Sequence, residues 1–266
     1  MNSTTHETIH VGIVAFDEME LLDFAGPYEV FTTASRVCEK FGSPMRFVVK
    51  TVAQQRRMLH ARAGLGIMPD VGLVESERAQ PCDVLIVPGG VVTDALRQTD
   101  LLEWLRATHA QTRYTASICT GAFLLAQAGI LRQTATTHWE DIADLRAAYP
   151  QLTVREDVRW VQDGADTRVY SSAGISAGID ACIALIDIDP QKSKEQLLVI
   201  SNVVRESIKD VRRSLYKLRP GALDQRTLKD GLINSIEVDE NKIFANTKYQ
   251  PKLNKIYDED EKPQRS

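Results

Sequence analysis

The chain has 266 residues, a formal net charge of −4 and an ordinary 43% share of hydrophobic residues. That length supports one sizeable core plus an added segment. No apolar run approaches the ~18 residues of a membrane span, MNSTTHETIH carries no secretory-signal pattern, and Cys38, Cys82, Cys119 and Cys182 show no CxxC or CxH spacing, so the sequence predicts a cytoplasmic protein without membrane contact, zinc site or disulfide framework.

Residues 1–9 read as a disordered start. HVGIVAF (10–16) is a short apolar run that reads as a buried strand, and DEMELL follows as a loop. Asp23 stands where a helix can start, with Gly26-Pro27 in its first turn, where proline is tolerated. MRFVVKTVA (45–53) is a second strand, LHARAGLGIMPDVGLV (59–74) a hairpin or bent pair of short strands, and CDVLIVPGG (82–90) a third buried strand stopped by glycine. Helical spacing covers 94–109. YTASI (114–118) is a fourth strand, and a helix begins at once from Thr120. HWEDIADLRAAYP (138–150) is an amphipathic helix, 152–156, 158–164 and 168–174 are candidate strands, and SAGIDACIALI (176–186) is a helix. This alternation predicts an α/β fold: a doubly wound, flavodoxin-like, mostly parallel sheet sandwiched by helices.

In such a fold the site lies at the carboxyl ends of the strands. Three loops converge there: 17–23, Pro88-Gly89-Gly90 and Cys119-Thr120-Gly121. Cys119 sits between a strand end and a helix start, where free N–H groups and the helix dipole favour a thiolate. The alternative is a buried structural thiol, which is the reading for Cys38, Cys82 and Cys182. Gly121 allows close packing at that turn. Gly89-Gly90 and Thr120 can bring N–H groups to an anion beside the sulfur, or the glycines can simply serve a tight turn. Asp23, after Leu21-Leu22, reads either as a desolvated carboxyl that hydrogen-bonds the sulfur and moves a proton or as a helix N-cap. His138 reads first as a packing residue beside Trp139 and second as a base. No histidines group as metal ligands, so no metal is expected.

DFAGPYEVF (23–31), CDVLIVPGG (82–90), SICTGAFLLAQAGIL (117–131), ATTHWEDI (135–142) and SSAGISAGIDACIAL (171–185) together resemble the PfpI-like superfamily of class I glutamine amidotransferase-like proteins. The five blocks occur in order between His10 and Ile186. Within that superfamily the chain is most similar to isocyanide hydratases and to the sensor domains of AraC-type regulators. The resemblance implies Cys119 as nucleophile, Asp23 as the acid beside it, and Thr120 and Gly90 as substrate or anion contacts. Gly174 and Ile175, in the last block, join the candidates. Protease-like members carry histidine after the cysteine; Thr120 stands there here, which argues against peptidase activity. The implied reaction is hydration of an isocyanide to an N-substituted formamide through a thioimidate, with no cofactor. The alternatives are a non-catalytic small-molecule sensor and a signalling or dimerisation fragment.

Composition breaks near residue 189. Residues 1–189 hold 14 Arg and 2 Lys, whereas 190–266 hold 6 Arg and 10 Lys, and alanine falls from 23 to 2. A shift of this size marks a domain boundary. The expected division is an α/β domain over 10–188, an α-helical extension over 189–238 and a disordered tail over 239–266. Leu197, Ile200, Val204, Ile208, Val211, Leu215 and Leu218 form a heptad-like seam suited to a homodimer. Residues 203–232 resemble the second dimerisation helix of NarL-type sensor histidine kinases. No histidine follows His138, so that resemblance brings no phosphoacceptor. The tail lacks the ~100 residues of a paired helix-turn-helix domain, so direct nucleic-acid binding is not expected.

Overall fold

The computed structural model describes residues 7–77 and 81–187. The predicted extension, its dimerisation helix and the tail lie outside the described residues. The elements run β1 (Glu7–Val14), α1 (Leu21–Lys40), β2 (Met45–Ala53), β3 (Leu59–His60), β4 (Gly66–Ile67), β5 (Val71–Gly72), α2 (Leu73–Glu77) and β6 (Val84–Val87). They continue with α3 (Thr99–His109), β7 (Tyr114–Ile118), α4 (Gly121–Gln127), β8 (Thr134–Ala135), α5 (Ile142–Ala148), β9 (Thr153–Val154), β10 (Trp160–Gln162), β11 (Val169–Ser172) and α6 (Ser176–Asp187).

Seven strands form the main sheet in the order β10-β11-β7-β6-β1-β2-β5. All neighbours are parallel except β10, which runs antiparallel to β11 on one edge. The five principal strands follow the flavodoxin-like order, and helices cover the sheet. The centre is the most apolar part: all four residues of β6 are buried, as are Val11, Ile13 and Val14 of β1. Strands buried on both faces carry continuous aliphatic runs, which is why β6 and β7 are legible in sequence. The glycine-bounded segment 59–74 resolves into the β3–β4 hairpin and then β5, which pairs parallel with β2.

Several boundaries differ from expectation. β1 begins at Glu7, not His10, because its polar first residues still pair with β2 from Glu7↔Met45 onward. α1 begins at Leu21, so Asp23 lies inside its first turn and does not cap it. Pro27 accordingly falls inside the helix rather than in its first turn. The 94–109 helix is divided: a 3₁₀ turn covers Ala95–Arg97, and Gln98 is extended (φ −81°, ψ 92°) before α3 starts. The 138–150 helix likewise opens as a 3₁₀ turn over Trp139–Asp141.

Opposite the carboxyl edge, a charged cluster ties α3, β7 and β11 together. His109 Nδ1 lies 2.9 Å from Thr115 Oγ1, and its Nε2 lies 3.4 Å from Asp166 Oδ2. Arg168 closes on the same carboxylate at 2.7 Å. Burial first, then the Arg168 charge, holds the His109 imidazole below its ordinary 6.5. Hydrogen bonding from Arg168 holds Asp166 down at about 2. The unfolded chain therefore takes up the His109 proton before the folded one does. Stability from neutral His109 is present above pH 6.5 and is eroded as the pH falls through that value. The Asp166 contribution persists to lower pH, being lost only as the pH falls from 3.8 toward 2. Thermal unfolding followed by circular dichroism should show a Tm that drops as the pH is lowered below 6.5, and a shallower drop in His109→Gln. Equal slopes in the two proteins would contradict this assignment.

Candidate active site

Four loops meet at the carboxyl edge of the sheet, following β1, β6, β7 and β11. Their backbone is tied by hydrogen bonds: Glu20 N–H donates to Gly89 O at 2.8 Å, and Cys119 N–H to Ser172 O at 2.9 Å. Glu18, Cys119 and Ile175 are the non-glycine residues with positive φ among those described, at 64°, 55° and 42°. All three stand on this edge. Such conformations cost about 1–3 kcal/mol each and persist only where surrounding structure holds them. For a β-branched residue such as Ile175 the position is a true outlier.

Cys119 occupies a sharp strand-to-helix turn between β7 and α4. The turn is possible because its neighbours have no side chains in the way. A Cβ on Gly121 would lie 2.3 Å from Val87 O, and one on Gly89 would lie 2.7 Å from Cys119 Cβ. Gly174 (φ 103°) approaches from β11; a Cβ there would sit 3.4 Å from Cys119 Sγ. Bare backbone thus passes close to Cys119 on two sides.

Asp23 reaches the same point from α1. Its side chain is fully buried, and Oδ1 accepts the Ile175 N–H at 2.7 Å. Oδ2 is buried and makes no hydrogen bond of ordinary geometry, yet the thiol and the carboxyl lie close enough to shift each other's ionisation. Burial raises the Asp23 carboxyl above the usual carboxylate range, against the lowering effect of the Ile175 N–H. Burial, then the Asp23 charge, pushes the Cys119 thiol up to about 12, against the Thr120 N–H. The sequence-based expectation of a resting thiolate is therefore not met. α4 is only seven residues long, and one N–H does not offset desolvation beside a carboxylate.

The candidate anion donors are engaged within the protein. Thr120 Oγ1 accepts the Gly90 N–H at 2.8 Å and donates to Gly90 O at 2.8 Å. The Gly89 N–H acts on Asp23. Only the Thr120 N–H bears on the sulfur itself. The physical reason is that Thr120 is buried, at 8% exposure, and its hydroxyl must find partners in the nearest backbone.

His138 stands among two carboxylates and an aromatic ring. Its Nδ1 lies 3.5 Å from Asp141 Oδ2 and 3.6 Å from Glu140 Oε2, and its ring packs beside Trp139 at 5.6 Å. The contact in that motif is Thr137, whose Oγ1 donates to Cys119 O at 2.9 Å. Thr137 sits in the same TTHWE as the histidine, but a threonine there carries no pattern that marks it as a partner of the cysteine. Glu20 and Asp141 were also missed. Glu20 acts on Asp23 and Asp141 on Cys119 through their charge, and no local pattern signals that. Among the described residues no group of three or more His, Cys, Asp or Glu could hold a metal ion.

A DJ-1/PfpI family model matches residues 10–188, and a histidine kinase model matches residues 171–223. The chain is 31% identical over 179 residues to an isonitrile hydratase of Pseudomonas putida, covering 66% of this chain and 70% of that protein. It is 27% identical over 177 residues to the HTH-type transcriptional regulator GbdR of Pseudomonas aeruginosa, covering 66% of this chain and 45% of the regulator. Among solved structures, a ThiJ/PfpI family protein from Pseudomonas syringae superposes with a TM-score of 0.60 at 22% identity over 76% of each chain.

The coupling between thiol and carboxyl can be measured directly. Asp23→Asn keeps an acceptor for the Ile175 N–H but removes the charge. The Cys119 pKa should then fall by about one unit or more, read as the pH dependence of Cys119 alkylation by peptide mass spectrometry. An unchanged profile would show that Asp23 does not act on the sulfur.

Proposed function

Because the chain belongs to the DJ-1/PfpI family, we propose that it is a cysteine-dependent hydratase that converts isocyanides to N-substituted formamides, with Cys119 as nucleophile and Asp23 as proton carrier. The observation that carries this reading is Asp23 Oδ2: a buried carboxyl oxygen without a hydrogen bond of ordinary geometry, on a side chain electrostatically coupled to the thiol. A thiol raised to about 12 holds little thiolate near neutral pH, so a base must take its proton as the sulfur attacks. The thiol proton passes to Asp23 and the sulfur bonds to the terminal isocyanide carbon. That carbon takes the proton from Asp23, leaving a thioimidate on Cys119. Water then adds to the same carbon and the carbon–sulfur bond breaks. The sulfur regains one proton, the nitrogen takes the other, and the formamide departs. The chemistry uses no metal or organic cofactor.

Gly174 serves this scheme by keeping a side chain away from the sulfur, and Gly89 by letting backbone pass against the Cys119 Cβ. Gly90, Thr120 and Gly121 brace the turn, and Ile175 fixes Asp23 through its N–H.

A second reading has support of its own. A thiol held neutral, together with similarity to the regulator GbdR, suits a non-catalytic sensor of small molecules. Incubation with phenyl isocyanide separates the two. The hydratase reading expects N-phenylformamide from the wild-type chain and a loss of roughly a thousandfold or more in Cys119→Ala. Binding without turnover by the wild type would favour the sensor.

The chain is further read as a cytoplasmic homodimer. Among the described residues no helix is long and apolar enough to cross a membrane. Met58, Leu65 and Met68, 47%, 53% and 52% exposed around the β3–β4 hairpin, supply apolar area for association. Sedimentation of the full chain should give twice the single-chain mass at micromolar concentration, and a single-chain mass throughout would reject the dimer.

A further inference from the structure

Cys119 holds φ 55° at the strand-to-helix turn. A non-glycine residue keeps that conformation only where its surroundings hold it. Its two peptide groups are the handles for doing so. The N–H is engaged with Ser172 O at 2.9 Å. The carbonyl takes the Ala122 N–H at 3.3 Å, a long bond within the turn itself, and the Thr137 hydroxyl at 2.9 Å. Thr137 thus gives that carbonyl the shorter of these two hydrogen bonds, and gives it from 18 residues along the chain.

The segment that carries Thr137 is fastened before it reaches the cysteine. The N–H groups of Arg132, Gln133 and Thr134 converge on the buried Asp163 carboxylate at 3.1, 3.0 and 2.8 Å. The Thr136 N–H donates to Ser171 Oγ at 2.9 Å, and the Thr136 hydroxyl to Arg155 O at 2.7 Å. Thr137 itself is 1% exposed, so its hydroxyl must find its partner within the protein. A donor held in this way is a fixed reference for the Cys119 peptide. The sulfur and Asp23 come from different elements, the β7–α4 turn and α1. Rotation of Cys119 out of the left-handed region would swing its Cβ and Sγ relative to a carboxyl that the Ile175 N–H holds in place.

We propose that Thr137 is a positioning residue of this site: its hydroxyl holds the Cys119 peptide in the left-handed turn and so keeps the sulfur in register with Asp23. The inference deepens the proposed function and rests on Cys119 being the reacting residue.

Thr137→Val removes the hydroxyl and keeps the branched shape, whereas Thr137→Ser keeps the hydroxyl. Both are compared with the wild-type full chain at a temperature where circular dichroism shows each one folded. The first readout is the pH profile of Cys119 alkylation by iodoacetamide, followed by peptide mass spectrometry. In Thr137→Val the profile should move to lower pH by about one unit, because a released sulfur loses part of the burial and of the Asp23 charge that raise it. The second is hydration of phenyl isocyanide, where kcat should fall by about tenfold with KM changed by less than about twofold. Thr137→Ser should restore both. A residue that only stabilised the fold would lower Tm and leave the alkylation profile of the folded protein unmoved. An unmoved profile in Thr137→Val, or equal shifts in the valine and serine variants, would overturn the proposal whatever kcat does. Should Thr137→Val not fold, Thr137→Ala carries the same expectations. A wild-type chain that hydrates no isocyanide defeats the hydratase reading and leaves the alkylation profile to decide the role of Thr137; turnover with an unmoved profile defeats the positioning role alone.

Discussion

Asp23 is buried in the first helix with one oxygen on the N–H of Ile175, 152 residues further along the chain. That hydrogen bond joins α1 to the turn that opens α6. It holds Ile175 in a left-handed conformation that a β-branched residue otherwise avoids. It also fixes the carboxyl through Oδ1, while Oδ2 stays buried without a hydrogen bond of ordinary geometry. Without it, a carboxyl in an apolar setting would have no reason to keep one position. The strained residues at Glu18, Cys119 and Ile175 all lie on the edge this interaction organises, a concentration typical of functional sites.

Electrostatics at that edge follow from burial more than from any helix terminus. The thiol and the carboxyl are both raised, so the pair resists carrying two negative charges. A proton that cannot leave the pair easily can still move within it, and this is the property a nucleophile and its proton carrier require. The Glu20 and Asp141 charges act in the same direction.

The backbone around the sulfur is as specific as the side chains. Gly89 and Gly174 approach Cys119 so closely that a methyl group on either would meet it. Thr120 latches onto Gly90 through both of that residue's backbone groups. The corner is thus a set of loops locked onto one another, which explains how a turn with a left-handed cysteine persists.

Much of this is legible in the amino-acid order. The continuous aliphatic runs of β6 and β7, the glycine stops after them and the alternation with helical spacing determine the doubly wound sheet and the edge on which Cys119 must lie. Burial of both sheet faces demands those runs, so they are local and readable. The five ordered blocks determine the family. Only the tertiary structure decided the rest. It placed Asp23 inside α1 rather than at its cap, tied Thr137 to the Cys119 carbonyl, engaged the Gly90 N–H internally and pushed the thiol pKa up. These outcomes depend on which groups meet across the chain and on how much water they lose there, and neither quantity is written in any local stretch of sequence.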